Sequence, residues 1–485
     1  MEPPGKQGRE RGSEPLEWSA HPMNTLHSSL PWRHHLREIL RLGVPLVGNN
    51  LALAAMGTVD TLMSGRLGSR SLAAVAVGVS FYNLFLFAAV GVMMAVSPLI
   101  AHARGGSRHG EVVLYSRQAL WLALGLAVLL VPLMFLVGPA LRLIGTAPEV
   151  VPEATGFVHA MAAGYPALLA YLALRFTSEG LGQTRPIFLA ACGGLLMNIG
   201  GNWVFMYGLF GMPALGAVGC GVASALVMWT LLGLMLLQMQ FGAAFRRYRL
   251  FAGYLKPDLA RLREMLRLGL PICGTMLSES GLFIACALIM GTLGAVQVGA
   301  HQVALNFASL TFMVPLALHS ATMVHVGHLL GGRRPADARR AGFAGIALCT
   351  GLMAVSCVGL ITMNHGIAAL YTHDAAVLEL ASRLLLFAGV FQISDGLQVG
   401  AMGALRGFKD ARTPLVLSLF AYWVVGFPMA WWLGIRAGYG PEFVWVGLIA
   451  GLAVCAVLLL WRYVIISRRT VLAAAQHKES SHAAT

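Results

Sequence analysis

Leu40-Arg41-Leu42-Gly43-Val44-Pro45 returns further along the chain as Leu266-Arg267-Leu268-Gly269-Leu270-Pro271, displaced by 226 residues. The same displacement, without a gap, carries Gly65 onto Gly291, Leu67 onto Leu293 and Gly68 onto Gly294. It goes on to carry Ala74 onto Ala300, Phe81 onto Phe307, His102 onto His328, and Gly105-Gly106 onto Gly331-Gly332. Chance does not sustain one register over that distance, so the chain is two copies of one structural unit. Each copy of the motif opens a long apolar run, and the nature of those runs decides what the unit is.

The 485 residues are 57% hydrophobic and 11% charged, with a mean hydropathy of +0.72. A water-soluble domain cannot hide that much apolar surface. Apolar stretches of roughly 20 residues, enough to cross a bilayer, recur between short charged loops. They predict helices over 41–63, 72–101, 113–137, 155–180, 186–210 and 214–240, and again over 266–291, 297–329, 337–363, 377–406, 412–436 and 442–466. The fold class expected is therefore an all-α membrane protein of twelve transmembrane helices.

The net charge of +14 would suit a nucleic-acid binder only if the basic residues shared one surface. Instead they alternate loop by loop, as cytoplasmic segments do. Arg33, Arg37 and Arg41, then Arg104, Arg108 and Arg117, Arg175 and Arg185, and the loop from Arg246 to Arg263 fall on one side. Arg333, Arg334, Arg339, Arg340, Arg406, Lys409, Arg412, Arg462, Arg468, Arg469 and Lys478 join them. Only Arg66, Arg70, Arg142 and Arg436 mark the other side. Both termini are placed in the cytoplasm, and nucleic acid is excluded as a partner.

Six spans per copy return the chain to its starting side, so the copies are parallel repeats about a pseudo-twofold axis along the membrane normal. The expected organisation is a cytoplasmic tail over 1–36, read as disordered, with Met23 an alternative start. A six-helix lobe over 37–240, a linker over 241–264, a second lobe over 265–468 and a tail over 469–485 follow. Cys192, Cys220, Cys273, Cys286, Cys349, Cys357 and Cys455 lie singly in apolar runs and read as small buried hydrophobes.

Asp60, Glu279 and Asp395 fall inside the predicted spans. An ionised carboxylate there costs a few kcal/mol, and no Lys or Arg stands within the same runs away from a helix end. Protons, a metal cation or a cationic substrate must complete these groups. Measured from Pro45 and Pro271, Asp60 lies about 22 Å along its helix and Glu279 about 12 Å, so the two acids sit at different depths. The repeat places Asp60 against Cys286 and Glu279 against Leu53: the halves share a frame but not their chemistry. A lone intramembrane acid that is permanently protonated and only bridges helices is the bland alternative.

Asn198 and Asn202, four residues apart, share a helix face and are candidate partners of Asp60. His301, Gln302, Asn306, Gln392 and Gln398 are candidates around Glu279 and Asp395, although a single intramembrane His more often only bridges helices. Aromatic residues such as Phe81, Tyr82, Phe283, Phe391, Tyr422 and Trp423 suit either packing or a pocket for flat lipophilic molecules. The chain has no phosphate-cradling loop, nucleophile elbow or paired zinc motif. Neither enzymatic chemistry nor nucleotide hydrolysis is expected, and no cofactor.

Met56-Gly57-Thr58-Val59-Asp60-Thr61-Leu62-Met63-Ser64-Gly65, Asn198-Ile199-Gly200-Gly201-Asn202-Trp203, and Gly299-Ala300-His301-Gln302-Val303-Ala304-Leu305-Asn306 are shared motifs of a known family. With Pro45, Glu279 and Asp395 ahead of Leu405-Arg406-Gly407-Phe408-Lys409-Asp410, they resemble the multidrug and toxic compound extrusion (MATE) family, in its NorM-like bacterial branch, from about Arg37 to Arg468. The resemblance implies a V-shaped pair of lobes in the bacterial inner membrane. It implies export of lipophilic, often cationic compounds in exchange for H⁺ or Na⁺, by a protein expected to be a monomer. It assigns Asp60 with Asn198 and Asn202 to a first-lobe proton or substrate site, and Pro45 to a hinge. Glu279 and Asp395 become a second-lobe cation site, for Na⁺ in sodium-coupled members, with Gln302 a substrate contact. Phe391 stands where some sodium-coupled members carry tyrosine, which leaves H⁺ against Na⁺ open. A flippase for a lipid-linked precursor shares the architecture but calls for basic residues in the cavity. A membrane-embedded lipid enzyme calls for a nucleophile or metal set that the sequence lacks.

Overall fold

The computed structural model describes residues 30–250 and 256–483. Among them twelve helices are long and apolar enough to cross a membrane. They are α1 (Trp32–Arg66), α2 (Ser69–Gly105), α3 (His109–Met134), α4 (Val151–Gly180), α5 (Arg185–Tyr207) and α6 (Ala217–Phe241), followed by α7 (Leu259–Leu293), α8 (Ala295–Gly331), α9 (Pro335–Ala369), α10 (Ala375–Gly407), α11 (Arg412–Arg436) and α12 (Pro441–Gln476). The described residues contain no strand.

The helices outrun the apolar stretches because hydropathy marks the bilayer and not the end of the hydrogen-bond ladder. The α1 helix begins at Trp32, so 32–36 is helix and not tail; residues 1–29 of that tail lie outside the described residues. Asp258 caps α7 by accepting from the backbone N–H groups of Ala260 (2.9 Å) and Arg261 (3.3 Å). The expected linker over 241–264 therefore ends at Asp258, and it contains a short helix, Ala243–Arg246. Residues 251–255 lie outside the described residues. The last helix continues to Ala483, so 469–483 is helical.

Backbone exceptions have local causes. The α2 helix breaks at Met94–Ala95, where Pro98 has no N–H to offer the Met94 carbonyl. The α11 helix widens into π turns over Phe420–Gly426 and Trp432–Arg436, a form that often marks functional segments. Pro45 sits inside α1, which runs through it uninterrupted.

Two apolar cores organise the chain. One gathers Phe157, Tyr165, Tyr171 and Phe176 among α1–α6; the other gathers Leu384, Tyr422, Trp445 and Tyr463 among α7–α12. Small residues let the helices touch, as packing without a hydrophobic drive between helices requires. The two cores are laced by a reciprocal exchange: Ile39 and Leu42 of α1 pack on Leu318, Ala321 and Val324 of α8, while their repeat counterparts Met265 and Leu268 of α7 join the first-lobe core. A Cβ on Gly43 would meet Leu318 at 2.8 Å; one on its counterpart Gly269 would run into the backbone of Val92, the counterpart of Leu318.

Hydrogen bonds join the lobes from the end that carries the basic loops to the middle of α1 and α8. His35 pairs with His325 (3.1 Å), Asn50 donates to the Met313 carbonyl (3.2 Å), and Tyr115 donates to Glu264 (2.7 Å). Towards the opposite end a Cβ on Gly57, Gly65 or Gly291 would meet nothing within 4 Å.

Gly164 tests the packing argument, because a Cβ there would lie 2.6 Å from Ala225 Cα on α6. Gly164→Leu should force α4 and α6 apart at about 1–3 kcal/mol, read as a lower thermal midpoint of the detergent-solubilised protein. An unchanged midpoint would show that the helices are not in contact there.

Candidate functional site

The first centre is built on α1 and α5. Asn198 and Asn202 lie one turn apart, and their side-chain N–H groups both donate to Asp60 Oδ1, at 2.9 and 2.6 Å. That geometry turns both amide oxygens away from the carboxylate, and each is buried without a partner. Buried acceptors of this kind are costly, and two of them around one carboxylate make a place that favours a proton or a cation. Cys220 of α6 lies beside the carboxylate.

The second centre is built on α7 and α10. Gln398 donates to Glu279 Oε1 at 3.0 Å, and Asp395, 4% exposed, is within electrostatic reach of Glu279. Gln392 donates to Thr311 Oγ1 (2.6 Å). The amide oxygens of Gln392 and Gln398 and the Tyr422 hydroxyl are buried without partners. Trp423, on the π-turn segment, donates to Ser278 Oγ at 3.0 Å, tying that segment to the residue before Glu279.

The remaining sequence candidates separate into two groups. His301 is buried edge-on against Trp445, with ring centroids 5.6 Å apart, and neither ring nitrogen has a partner. Phe391 is buried between Phe283 and Trp445, with centroids 5.9 Å from each, as a packing residue of the second core. Gln302 and Asn306 are exposed and, with Ser309, share one face of α8. Ser80 and Asn83 of α2 stand at the repeat-equivalent positions of Asn306 and Ser309. Polar faces of this kind suit an aqueous cleft and not lipid.

None of Asp60, Glu279 and Asp395 joins an ion pair among the described residues. Arg406, expected among the cytoplasmic basic residues, is nevertheless an internal cation. Its position beside a loop suggests solvent, yet its side chain is 6% exposed. The guanidinium donates to His319 Nε2 (3.0 Å) and to Met94 Sδ (2.8 Å) from the other lobe, within electrostatic reach of Glu279. It is buried because α8, α9 and α12 enclose α10 and Met94 of the first lobe reaches its guanidinium, which no local signal records.

Sequence reasoning also missed Glu179, which is fully buried near the end of α4 and accepts from Ser97 (3.2 Å). A shift of 227 residues, one more than that between the opening motifs, aligns the ends of α4 and α10 at Gly180 and Gly407 and sets Glu179 against Arg406, which could have flagged both as one symmetric, oppositely charged position.

Twelve membrane helices in two parallel lobes, with a carboxylate centre in each, define a membrane transporter and not an enzyme. The MatE family model matches residues 45–204 and 271–432, beginning at Pro45 and Pro271, and the chain belongs to the MATE family, in its NorM-like bacterial branch. It is similar to the "Probable multidrug resistance protein NorM" of Xanthomonas axonopodis pv. citri, 42% identical over 428 residues, 88% of this chain and 93% of that protein. It is also similar to the multidrug resistance protein PmpM of Pseudomonas aeruginosa, 38% identical over 455 residues, 93% and 95% of the two chains. Among solved structures, "MATE in the bent conformation" superposes with a TM-score of 0.83 at 20% identity, covering 92% of this chain and all of that one. The eukaryotic transporter AtDTX14 gives 0.82 at 20% identity, over 92% and 99%.

A thermodynamic cycle checks the first centre. Asn202→Leu should lower stability by about 1.5–3 kcal/mol if it removes a bond to an ionised group, and most of that loss should vanish in an Asp60→Ala background. Strictly additive losses would mean that the two side chains do not interact.

Proposed function

We propose that this protein is a multidrug exporter of the bacterial inner membrane, with both termini in the cytoplasm. It expels lipophilic, often cationic compounds in exchange for H⁺ or Na⁺ by alternating access of its two lobes. The observation that carries this reading is the set of three intramembrane carboxylates without an ion-pair partner among the described residues, surrounded by buried acceptors that have no donor. Such groups are incomplete without a mobile cation. The names of the relatives, which are multidrug resistance proteins, support the substrate class.

In this cycle an external cation neutralises Glu279 and Asp395, or Asp60, and a cationic drug competes for the same negative charge. Each ligand shifts the balance between outward- and inward-open forms by its differential affinity for them. Arg406 fits as a fixed charge that biases Glu279, while the mobile cation supplies the rest. A lipid-linked precursor flippase would need several free basic groups in the cleft, and Arg406 is already bonded to His319 and Met94.

Purified protein in liposomes should move a cationic dye against its gradient when a proton or a sodium gradient is imposed, and stop when that gradient is collapsed. Glu279→Gln and Asp60→Asn should each bring the flux down to that of empty liposomes. Dye movement indifferent to both gradients would overturn the exchange reading. Full gradient-driven flux in Glu279→Gln would remove the second-lobe site from it.

A further inference from the structure

His102 and His328 occupy the same position in the two repeats, near the basic-end termini of α2 and α8. Each reaches across to the other lobe. His102 Nε2 meets the carbonyl of Gly407 at 2.7 Å, and His328 Nε2 meets the carbonyl of Gly180 at 2.8 Å. A carbonyl only accepts, so each ring carries its proton on Nε2 and donates. Gly180 and Gly407 are the last residues of α4 and α10, where the ladder leaves carbonyls without intrahelical partners. Each lobe thus caps the C-terminus of a helix belonging to the other.

The backbone around the two rings repeats the same symmetry. Arg108 N–H bonds to the Ala103 carbonyl and Arg334 N–H to the Leu329 carbonyl, both at 2.9 Å, around the positive-φ residues Ser107 and Arg333. These are matching six-to-one turns that close α2 and α8. Beyond them the lobes touch backbone to backbone. A Cβ on Gly105 would overlap the His328 carbonyl, one on Gly331 would overlap the His102 carbonyl, and one on Gly106 would sit 3.1 Å from the Gly331 carbonyl. The pseudo-twofold axis passes between these glycines.

We propose that His102 and His328 form a paired latch that holds the basic end of the transporter closed and sets the ease of inward opening. Neutral hydrogen bonds to helix-end carbonyls suit this role better than ion pairs do. When the lobes part, water takes over both partners, so each bond is worth only about 0.5–1.5 kcal/mol net. The latch is therefore releasable in every cycle. It presupposes the alternating-access reading and adds to it the residues that govern one of the two gates.

The reporter is Cys273, which is buried against Gly91 of the other lobe. In a full-length protein keeping Cys273 and with the other six cysteines changed to serine, labelling by a membrane-impermeant maleimide is followed from the basic-loop side. His102→Leu with His328→Leu should raise the labelling rate roughly tenfold, equivalent to about 1.4 kcal/mol in the opening equilibrium, and each single change should raise it less. Gln at both positions, which offers an amide N–H to the same carbonyls, should restore the parental rate. An unchanged rate in the double Leu variant, or Gln acting like Leu, overturns the latch. A parallel protein keeping only Cys455, buried in the second-lobe core, should stay unlabelled; if it labels equally fast, the substitutions merely loosen the fold and the latch is again overturned. The parental protein should also label faster during gradient-driven transport. No such rise would overturn alternating access and the latch with it, whereas a rise without any Leu effect removes the latch alone.

Discussion

An ionised carboxylate in the apolar interior of a membrane protein must be completed by something, and in this chain the fixed groups do not suffice. Asp60 receives two amide N–H donors on one oxygen, and Glu279 receives one. The amides that make these bonds leave their own oxygens buried and unpaired. The proposed exchange follows from that shortfall. In the proposed exchange a site lacking a positive partner takes a mobile cation from the accessible side of the membrane, and two ligands that need the same charge exclude one another.

In the proposed exchange this competition becomes transport only if access to the charge changes sides, a role that the repeated frame suits. The exchange of Ile39 and Leu42 for Met265 and Leu268 between the cores, with the glycine contacts on the axis, brings the lobes together at one end. Away from that end α2 and α8 each carry an accessible polar face, Ser80 with Asn83 and Gln302 with Asn306 and Ser309. The contacts at the closed end include apolar packing and the neutral hydrogen bonds of His102 and His328 to helix-end carbonyls, which part and reform at small cost, beside the Tyr115–Glu264 bond. Arg406 and Glu179, buried at equivalent positions near this closure, distinguish one lobe from the other.

Much of this was legible in the residues. The shift from Pro45 to Pro271 gave two lobes before any contact was known, because a repeat in register implies a repeat in space. The spacing of Asn198 and Asn202 announced a shared face, and the structure sets that face against Asp60. What the sequence left hidden depends on contacts distant along the chain. Arg406 looks like a loop residue until Met94, from the other lobe, closes over it. Glu179 looks like a helix-end acid until Ser97 covers it. The early start of α7 rests on a capping carboxylate, Asp258, which no apolar average registers. His102 and His328 stood in the repeat from the outset, but their partners are carbonyls, and sequence carries no signal for those.

The central claim concerns stoichiometric replacement of one cation by another, and calorimetry of the detergent-solubilised protein reads it directly. A lipophilic cation is titrated in buffers of different ionisation enthalpy, with and without Na⁺. The account predicts that binding either releases protons into the buffer or is weakened competitively by Na⁺, and that the effect is lost when Asp60, Glu279 and Asp395 are all replaced by their amides. Tight binding that releases no proton and ignores Na⁺ would contradict it.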